Sequence, residues 1–132
     1  KKDLSDFGLN LGIAFQLMDD ILDYVSAEQE FGKTIGKDLS EGKITLPLIH
    51  TLRTCSQEDK NFLIQVIRDP KGKEGDLKYV LDLVRRSDGI DYTIRQAENF
   101  AGRATSTLAE FPAGPEKDAL LTLAQYTIQR KK

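Results

Sequence analysis

The chain has 132 residues, of which 39% are hydrophobic and 30% charged, and its formal charge is −2. This near-neutral balance argues against a nucleic-acid-binding protein, and the single Cys excludes an internal disulfide framework. No apolar run approaches the roughly 18 residues that a membrane-spanning helix needs, so we expect a cytoplasmic protein, and we expect the start at Lys1 to lie inside a longer one.

The sequence pattern is helical nearly throughout and shows no strand-type alternation, so we predict an all-α fold. The first element is a long helix over 4–26, and a charged, glycine-containing loop follows over 27–43. We expect residues 1–132 to form one segment in which 44–132 is scaffold. The scaffold helices are predicted at 44–54, 57–68, 75–88, 91–111 and 116–130.

Local signals mark some of these boundaries. Ser56 and Asp59 resemble a capping box with Asp in the place of Glu, which predicts a helix start. Gly89 stands where a glycine commonly ends a helix. His50 and Cys55 have no partner at catalytic or metal-ligand spacing, so we interpret both as structural.

One side of the first helix concentrates negative charge. The apolar residues of this helix fall on the opposite side: Leu4, Phe7, Leu11, Ala14, Phe15, Met18, Ile21, Leu22 and Val25. Four polar residues share the charged side at spacing i, i+3, i+4, i+7: Gln16, Asp19, Asp20 and Asp23. Two carboxylates one turn apart repel by ~3 kcal/mol at an effective dielectric of about 20. A divalent cation such as Mg²⁺ reverses this repulsion because it prefers hard oxygen ligands.

The loop that follows helps to decide whether the acidic side of the helix is a metal site or an ordinary solvated surface. It carries Lys33, Lys37 and Lys43 among three glycines. Lysine is a compact cation that suits phosphate oxygens, and glycine allows the backbone a positive φ or a close approach to a ligand. Acids on a helix followed by lysines in a loop therefore indicate a site for Mg²⁺ and a diphosphate.

These residues resemble a known family. The segment 12–24, which contains the DDxxD pattern, is similar to the second aspartate-rich motif of trans-isoprenyl diphosphate synthases. Residues 32–43, with Thr45-Leu46-Pro47 after them, resemble the segment that follows this motif in the long-chain members, of the octaprenyl diphosphate synthase type. The helical tail resembles the C-terminal region of the family more loosely.

The resemblance implies an all-α bundle of the isoprenoid synthase type around a central cavity. Such enzymes are prenyltransferases that condense an allylic diphosphate with isopentenyl diphosphate, with Mg²⁺ assisting the departure of diphosphate. The resemblance also implies a homodimer. The chain would be the C-terminal portion of such an enzyme.

The resemblance also implies roles for individual residues. Asp19 and Asp23 would ligate Mg²⁺, with Asp20 close by or acting through water, and Asp19, Asp20 and Lys33 would be the catalytic set. The residues implied in substrate binding are Phe15 and Gln16 at the reacting carbons, Lys33 on the allylic diphosphate and, as a weaker candidate, Lys43. Asp38 would orient a lysine or a metal-bound water.

One departure from the family pattern limits the implied activity. No second aspartate cluster occurs in the sequence, so the first aspartate-rich motif and the isopentenyl-binding residues are missing, and we expect this segment alone to be inactive. Three alternatives stay open: a class I terpene cyclase fragment, a non-catalytic partner subunit of a heteromeric prenyl synthase, and a plain helical interaction domain. The last leaves the acidic side and the lysine loop unexplained.

Overall fold

Six helices follow one another in the computed structural model, which describes residues 2–29, 37–39, 41–69 and 74–129. Residues 37–39 add a short helical turn, and no strand occurs in these ranges. The predicted all-α fold is therefore confirmed. The helices are α1 (Lys2–Gln29), α2 (Leu46–Thr54), α3 (Gln57–Arg68), α4 (Glu74–Arg86), α5 (Gly89–Ser106) and α6 (Pro115–Gln129).

Of the two helix starts with a local signal, α3 begins at Gln57 as predicted, and α2 begins at Leu46, two residues after the predicted start. The hydroxyl of Ser56 accepts a hydrogen bond from the backbone N–H of Asp59 at 3.1 Å, which caps α3. Pro47 lies in the first turn of α2, where its missing N–H leaves no intrahelical bond unmade. Helix α1 is continuous, as predicted, and extends three residues past the predicted end at 26.

The prediction that Gly89 ends a helix is wrong. Helix α4 ends at Arg86, the residue with positive φ is Asp88 at 65°, and Gly89 begins α5. A Cβ on Gly89 would lie 2.7 Å from the carbonyl oxygen of Pro47 and 3.1 Å from a methyl group of Val84. Glycine is therefore required here by close packing against α2 and α4, a contact that no local pattern reveals.

Helix α5 ends earlier than predicted. It stops at Ser106 instead of 111. At this end the hydroxyls of Thr105 and Ser106 both donate to the carbonyl of Gly102, at 2.9 and 3.0 Å, and Thr107 donates to the carbonyl of Ala104 at 2.7 Å. Side-chain hydroxyls that bond to nearby carbonyls compete with the helical pattern, which accounts for the early end.

The chain divides into two units, and helices α1 and α5 each contribute to both. Unit 1 contains 1–19 and 93–132, and unit 2 contains 20–92. The buried cluster of unit 1 comprises Phe7, Leu11, Ala104, Leu108 and Ala124. The buried cluster of unit 2 comprises Tyr24, Leu39, Leu48, Leu63, Val66, Leu77, Val80, Leu81, Leu83 and Val84.

None of the helices within the described ranges combines the length and the apolar character that crossing a bilayer requires.

Candidate metal and diphosphate site

The buried side of α1 is narrower than the sequence predicts. Met18 is fully buried, as expected, but Leu22 is only half-buried, and three residues placed on the apolar side are exposed. These three are Leu4, Phe15 and Val25, with exposed fractions of 45%, 45% and 44%. The buried residues recur at three- and four-residue steps: Phe7, Leu11, Ala14, Met18, Ile21 and Tyr24. A stripe of this width excludes Phe15, which lies about 100° around the axis from Ala14.

The three aspartates of α1 differ in exposure. Asp19 and Asp23 are half-buried and one turn apart, which brings the Cβ atoms of such pairs to about 5–6 Å. Asp20 is only 6% exposed, although helical geometry places it on the side that the sequence predicts to be charged. Gln16 is exposed one turn before Asp20. The carboxylates accessible from solvent are therefore those of Asp19 and Asp23.

A glycine cap directs the chain from the turn at 37–39 to Lys43. Gly42 has φ +79°, in the left-handed region. Its N–H donates to the carbonyl of Leu39 at 3.0 Å, and the N–H of Lys43 donates to the carbonyl of Asp38 at 2.8 Å. These two bonds are the pair that defines a Schellman motif. Of the three loop glycines, Gly42 thus uses a positive φ, and the other two lie outside the described residues.

Lys43 lies among carboxylates. Its Nζ is 3.5 Å from Oδ2 of Asp23, and the side chains of Lys43 and Asp23 are 42% and 36% exposed. Burial opposes the charged form of Lys43, but the carboxylates of Asp38, Asp23 and Asp20 outweigh it and raise the pKa of the ammonium. Lys43 is therefore a cation at neutral pH.

Asp38 belongs to the same group of charges. Burial raises the pKa of its half-buried carboxyl, with Lys43 acting against this shift and Asp23 and Glu41 adding to it. The structure thus brings Asp38 close to Lys43, one of the lysines that it was predicted to orient. Whether it orients a lysine in a ligand complex stays a prediction.

Tyr24 on α1 and Thr45, two residues after Lys43, were not assigned a role from any sequence pattern. Tyr24 is 4% exposed, and Thr45 lies near enough to its hydroxyl to influence its pKa. Burial, together with Asp20, Asp38 and Asp23, raises the pKa of Tyr24, and Thr45 acts in the opposite direction. The helical period could have predicted the burial of Tyr24, because this residue continues the buried stripe of Met18 and Ile21. A buried Tyr usually finds a partner for its hydroxyl.

The donors fit a partial Mg²⁺ site. Within the described part of the chain, no group of three or more His, Cys, Asp or Glu side chains is placed to hold a metal ion. Mg²⁺ usually binds through one or two carboxylates, with waters and substrate phosphates completing its shell. Asp19 and Asp23 supply two hard oxygen donors of that kind. Lys33 lies outside the described residues.

The surroundings of His50 and Cys55 agree with the prediction that both residues are structural. The ring of His50 stacks on Tyr92, with centroids 4.1 Å apart and planes inclined by 12°. Burial, and secondly Asp59, raises the pKa of the Cys55 thiol. A raised pKa lowers the thiolate fraction, which is the nucleophilic form.

Comparison with known proteins identifies the family. The polyprenyl synthetase family model matches residues 1–84. The chain belongs to the polyprenyl synthetase family. The matched range contains the α1 aspartates, the loop and Lys43.

Curated members of the polyprenyl synthetase family match nearly the whole chain. It is 37% identical over 133 residues to a geranylgeranyl diphosphate synthase of Saccharolobus solfataricus, covering 99% of this chain and 40% of the relative. It is 37% identical over 130 residues to the octaprenyl diphosphate synthase of Escherichia coli, covering 98% of this chain and 40% of the relative. The chain thus spans about 40% of the length of these relatives.

Solved structures agree in fold. A polyprenyl synthase from Roseobacter denitrificans superposes with a TM-score of 0.85 at 38% identity, over 98% of this chain and 41% of that one. A polyprenyl synthase from Caulobacter crescentus, solved with calcium and isoprenyl diphosphate, gives a TM-score of 0.84 at 37% identity, over 99% of this chain and 40% of that one. The described part of the chain therefore shares the all-α fold of a part of these synthases.

Proposed function

We propose that this chain is part of a prenyltransferase that condenses an allylic diphosphate with isopentenyl diphosphate to make a longer all-trans polyprenyl diphosphate. The observation that carries the proposal is local. Half-buried Asp19 and Asp23 lie one turn apart, with the cation of Lys43 3.5 Å from Asp23, in a chain of the polyprenyl synthetase family. Carboxylates beside a cation suit a magnesium diphosphate, which carries both signs of charge.

Mg²⁺ would be held by Asp19 and Asp23, with Asp20 acting from its buried position on water or on a neighbouring side chain. When bound, the ion supplies positive charge that stabilises the departing diphosphate. The curated relatives are named as diphosphate synthases, and one similar structure contains calcium with isoprenyl diphosphate. These names support a divalent cation and a prenyl diphosphate as ligands of this chain as well.

The chain's own cations would bind diphosphate oxygens. Lys43 is mobile enough to leave Asp23, because an exposed pair of this kind contributes only about 0–1 kcal/mol. Lys33 would bind the allylic diphosphate, and Asp38 would orient Lys43 from its neighbouring position. Phe15 and Gln16 are exposed on α1, as groups that border a substrate must be.

The experiment that tests the proposal measures incorporation of labelled isopentenyl diphosphate into an allylic primer. It uses a polypeptide of the relatives' full length that contains this sequence, with and without Mg²⁺. Magnesium-dependent formation of a longer prenyl diphosphate supports the proposal. Binding of both diphosphates without transfer would instead favour a non-catalytic partner subunit, and a cyclised product would favour a terpene cyclase. We further propose that this polypeptide is cytoplasmic and forms a homodimer, and sedimentation of the same polypeptide tests the homodimer.

A further inference from the structure

The accessible face of α1 changes in character along the helix. Near its C-terminal end this face carries the half-buried carboxylate of Asp19, a proposed ligand of Mg²⁺. Towards the N-terminus the same face is apolar, because Leu4, Leu9 and Phe15 are all exposed, and Leu9 is 65% exposed. A prenyl diphosphate has the same two parts, since it joins a group that binds a metal ion to a hydrocarbon chain.

Two glycines lie in the middle of this face. At about 100° per residue, Gly12 and Gly8 fall within about 20° of Asp19 around the helix axis. Phe15 falls about 40° to one side of Asp19, and Leu9 about 80° to the other. A Cβ added at either glycine would meet nothing within 4 Å beyond its own stretch of helix. The glycines are therefore the floor of a shallow groove between apolar side chains, which leads from Asp19 towards the start of α1.

The groove is continuous with the proposed metal site, which favours the substrate's own hydrocarbon chain as its occupant. This chain is covalently joined to the diphosphate, so it leaves Asp19 along α1 either towards Asp23 or towards Phe15. Covering the carboxylate of Asp23 with hydrocarbon would remove a charge from water, which is costly. Contact with Phe15 and Leu9 instead removes apolar surface from water, which is favourable. The chain should therefore run over Gly12 towards the N-terminal end of α1.

We propose that Gly12 and Gly8 are specificity-determining residues: their missing side chains leave room along α1 for the hydrocarbon chain of the allylic diphosphate, and so help to set how far this chain can grow. The inference rests on the proposed function, because it takes the position of the diphosphate from Asp19. Gly12 lies seven residues from Asp19 and Gly8 eleven, which is about 10 and 16 Å along the axis. The two glycines are thus separated by about 6 Å, close to the length of one extended isoprene unit.

Binding to the full-length polypeptide tests the groove without requiring catalysis. Calorimetric titrations in Mg²⁺ compare geranylgeranyl diphosphate with inorganic diphosphate, which lacks the hydrocarbon chain. Gly12→Leu should weaken the binding of geranylgeranyl diphosphate roughly tenfold, because the new side chain overpacks the groove, and should leave the binding of inorganic diphosphate unchanged. Gly102→Leu is the matched control and should change neither affinity, because Gly102 is also a mid-helix glycine with open surroundings but lies on α5.

Product length tests the order of the two glycines. Labelled products of prenyl transfer are separated by chain length for each variant of the full-length polypeptide. Gly12→Leu should end elongation earlier than in the unchanged polypeptide. Gly8→Leu should end it about one isoprene unit later than Gly12→Leu does, because Gly8 lies about 6 Å farther from Asp19. Products of unchanged length from Gly12→Leu, or shorter products from Gly8→Leu than from Gly12→Leu, would overturn the proposal.

Thermal unfolding separates a hydrocarbon chain from a protein segment as the occupant. If the chain occupies the groove, the melting temperature of the ligand-free full-length polypeptide should hold or rise in Gly12→Leu, since leucine has the higher helix propensity. A fall that Gly102→Leu does not share would mean that another helix packs on Gly12, and would overturn the proposal. If the unchanged polypeptide transfers no prenyl group, the proposed function fails, and the two binding affinities alone decide the groove. If it does transfer and Gly12→Leu changes neither affinity nor product length, only the groove proposal fails.

Discussion

Asp19 and Asp20 are neighbours in the sequence with different surroundings. Asp19 is half-buried on the accessible side of α1, and Asp20 is buried near Tyr24. A ligand of a solvent-filled metal site must be accessible, so the carboxylate of Asp19 is the better donor. Asp20 is placed to influence the site from within, since its charge acts on both Tyr24 and Lys43.

Asp19→Ala should separate catalysis from folding. Alanine has the higher helix propensity, and the change removes the repulsion with Asp23, so the melting temperature without ligand should hold or rise slightly. Prenyl transfer by the full-length polypeptide should fall by at least roughly 100-fold, since a carboxylate that holds Mg²⁺ against developing charge would be lost. Turnover and melting temperature are measured on the same sample.

Glu98→Ala is the matched control for that substitution. Glu98 is an exposed acid in the middle of α5 and outside the proposed site. Its removal should change neither turnover nor melting temperature appreciably. Retained activity in Asp19→Ala, or activity lost only through unfolding, would make the aspartate group of α1 part of the scaffold.

Cys55 should react slowly with a thiol-alkylating reagent. Because burial and Asp59 raise the pKa of the thiol, less thiolate is present at pH 8 than in an ordinary cysteine. The rate for the folded chain should be below that of the same chain in denaturant at pH 8. It should go on rising with pH beyond the point at which the denatured chain levels off. A folded-state rate equal to or above the denatured one would contradict the raised pKa.

At the scale of an element, two glycines of α5 should respond to alanine with opposite signs. Gly89→Ala places a Cβ 2.7 Å from the carbonyl oxygen of Pro47, so α2 or α5 must shift, and we expect a loss of about 1–3 kcal/mol in the free energy of unfolding. Gly102→Ala meets nothing within 4 Å in mid-helix and should gain up to about 1 kcal/mol. Urea unfolding of both variants measures the difference, and a loss at Gly102 or a gain at Gly89 would show that the contacts are misjudged.

The turn before Lys43 should depend on the backbone freedom of Gly42. At φ +79° a Cβ costs about 1–2 kcal/mol, although nothing stands within 4 Å of it. Gly42→Ala should therefore lower the free energy of unfolding by about that amount. Gly42→Asn should cost less, because asparagine tolerates the left-handed region. Urea unfolding compares the two, and equal stabilities for Ala, Asn and Gly would rule out a strained cap.

The helices themselves were accessible to sequence reasoning, and their mutual contacts were not. The repeat of apolar residues along α1 and the N-cap of α3 at Ser56 each depend on residues about one turn apart in the sequence, so both can be predicted locally. The need for glycine at position 89 depends on Pro47, and Tyr24 is buried in a cluster with Leu39 and Leu48; these residues are distant from one another in the sequence. The same limit applies to the site, where the spacing placed Asp19 and Asp23 on one side of α1 but gave no sign that Lys43 pairs with Asp23.

At the scale of the whole molecule, the chain has one cluster of aspartates, on α1, and an enzyme of the proposed type needs further ligands for its metal ions. The described residues contain no group of three metal-binding side chains, and the chain spans about 40% of the length of its curated relatives. Two carboxylates provide only part of a Mg²⁺ shell, and the rest must come from water, substrate or further protein. Catalysis of diphosphate departure needs positive charge held in a fixed place, which a partial shell of ligands does not provide.

The 132-residue chain by itself should therefore bind magnesium diphosphate weakly and transfer no prenyl group. Calorimetric titration with inorganic diphosphate and Mg²⁺ should show heat that Lys43→Ala reduces, because one cation next to the aspartates is lost. The transfer assay with labelled isopentenyl diphosphate and an allylic primer should stay at background under the same conditions. Turnover by a chain of verified mass would mean that Asp19, Asp23 and the lysines of the loop suffice for catalysis, and that no second metal-binding group is needed.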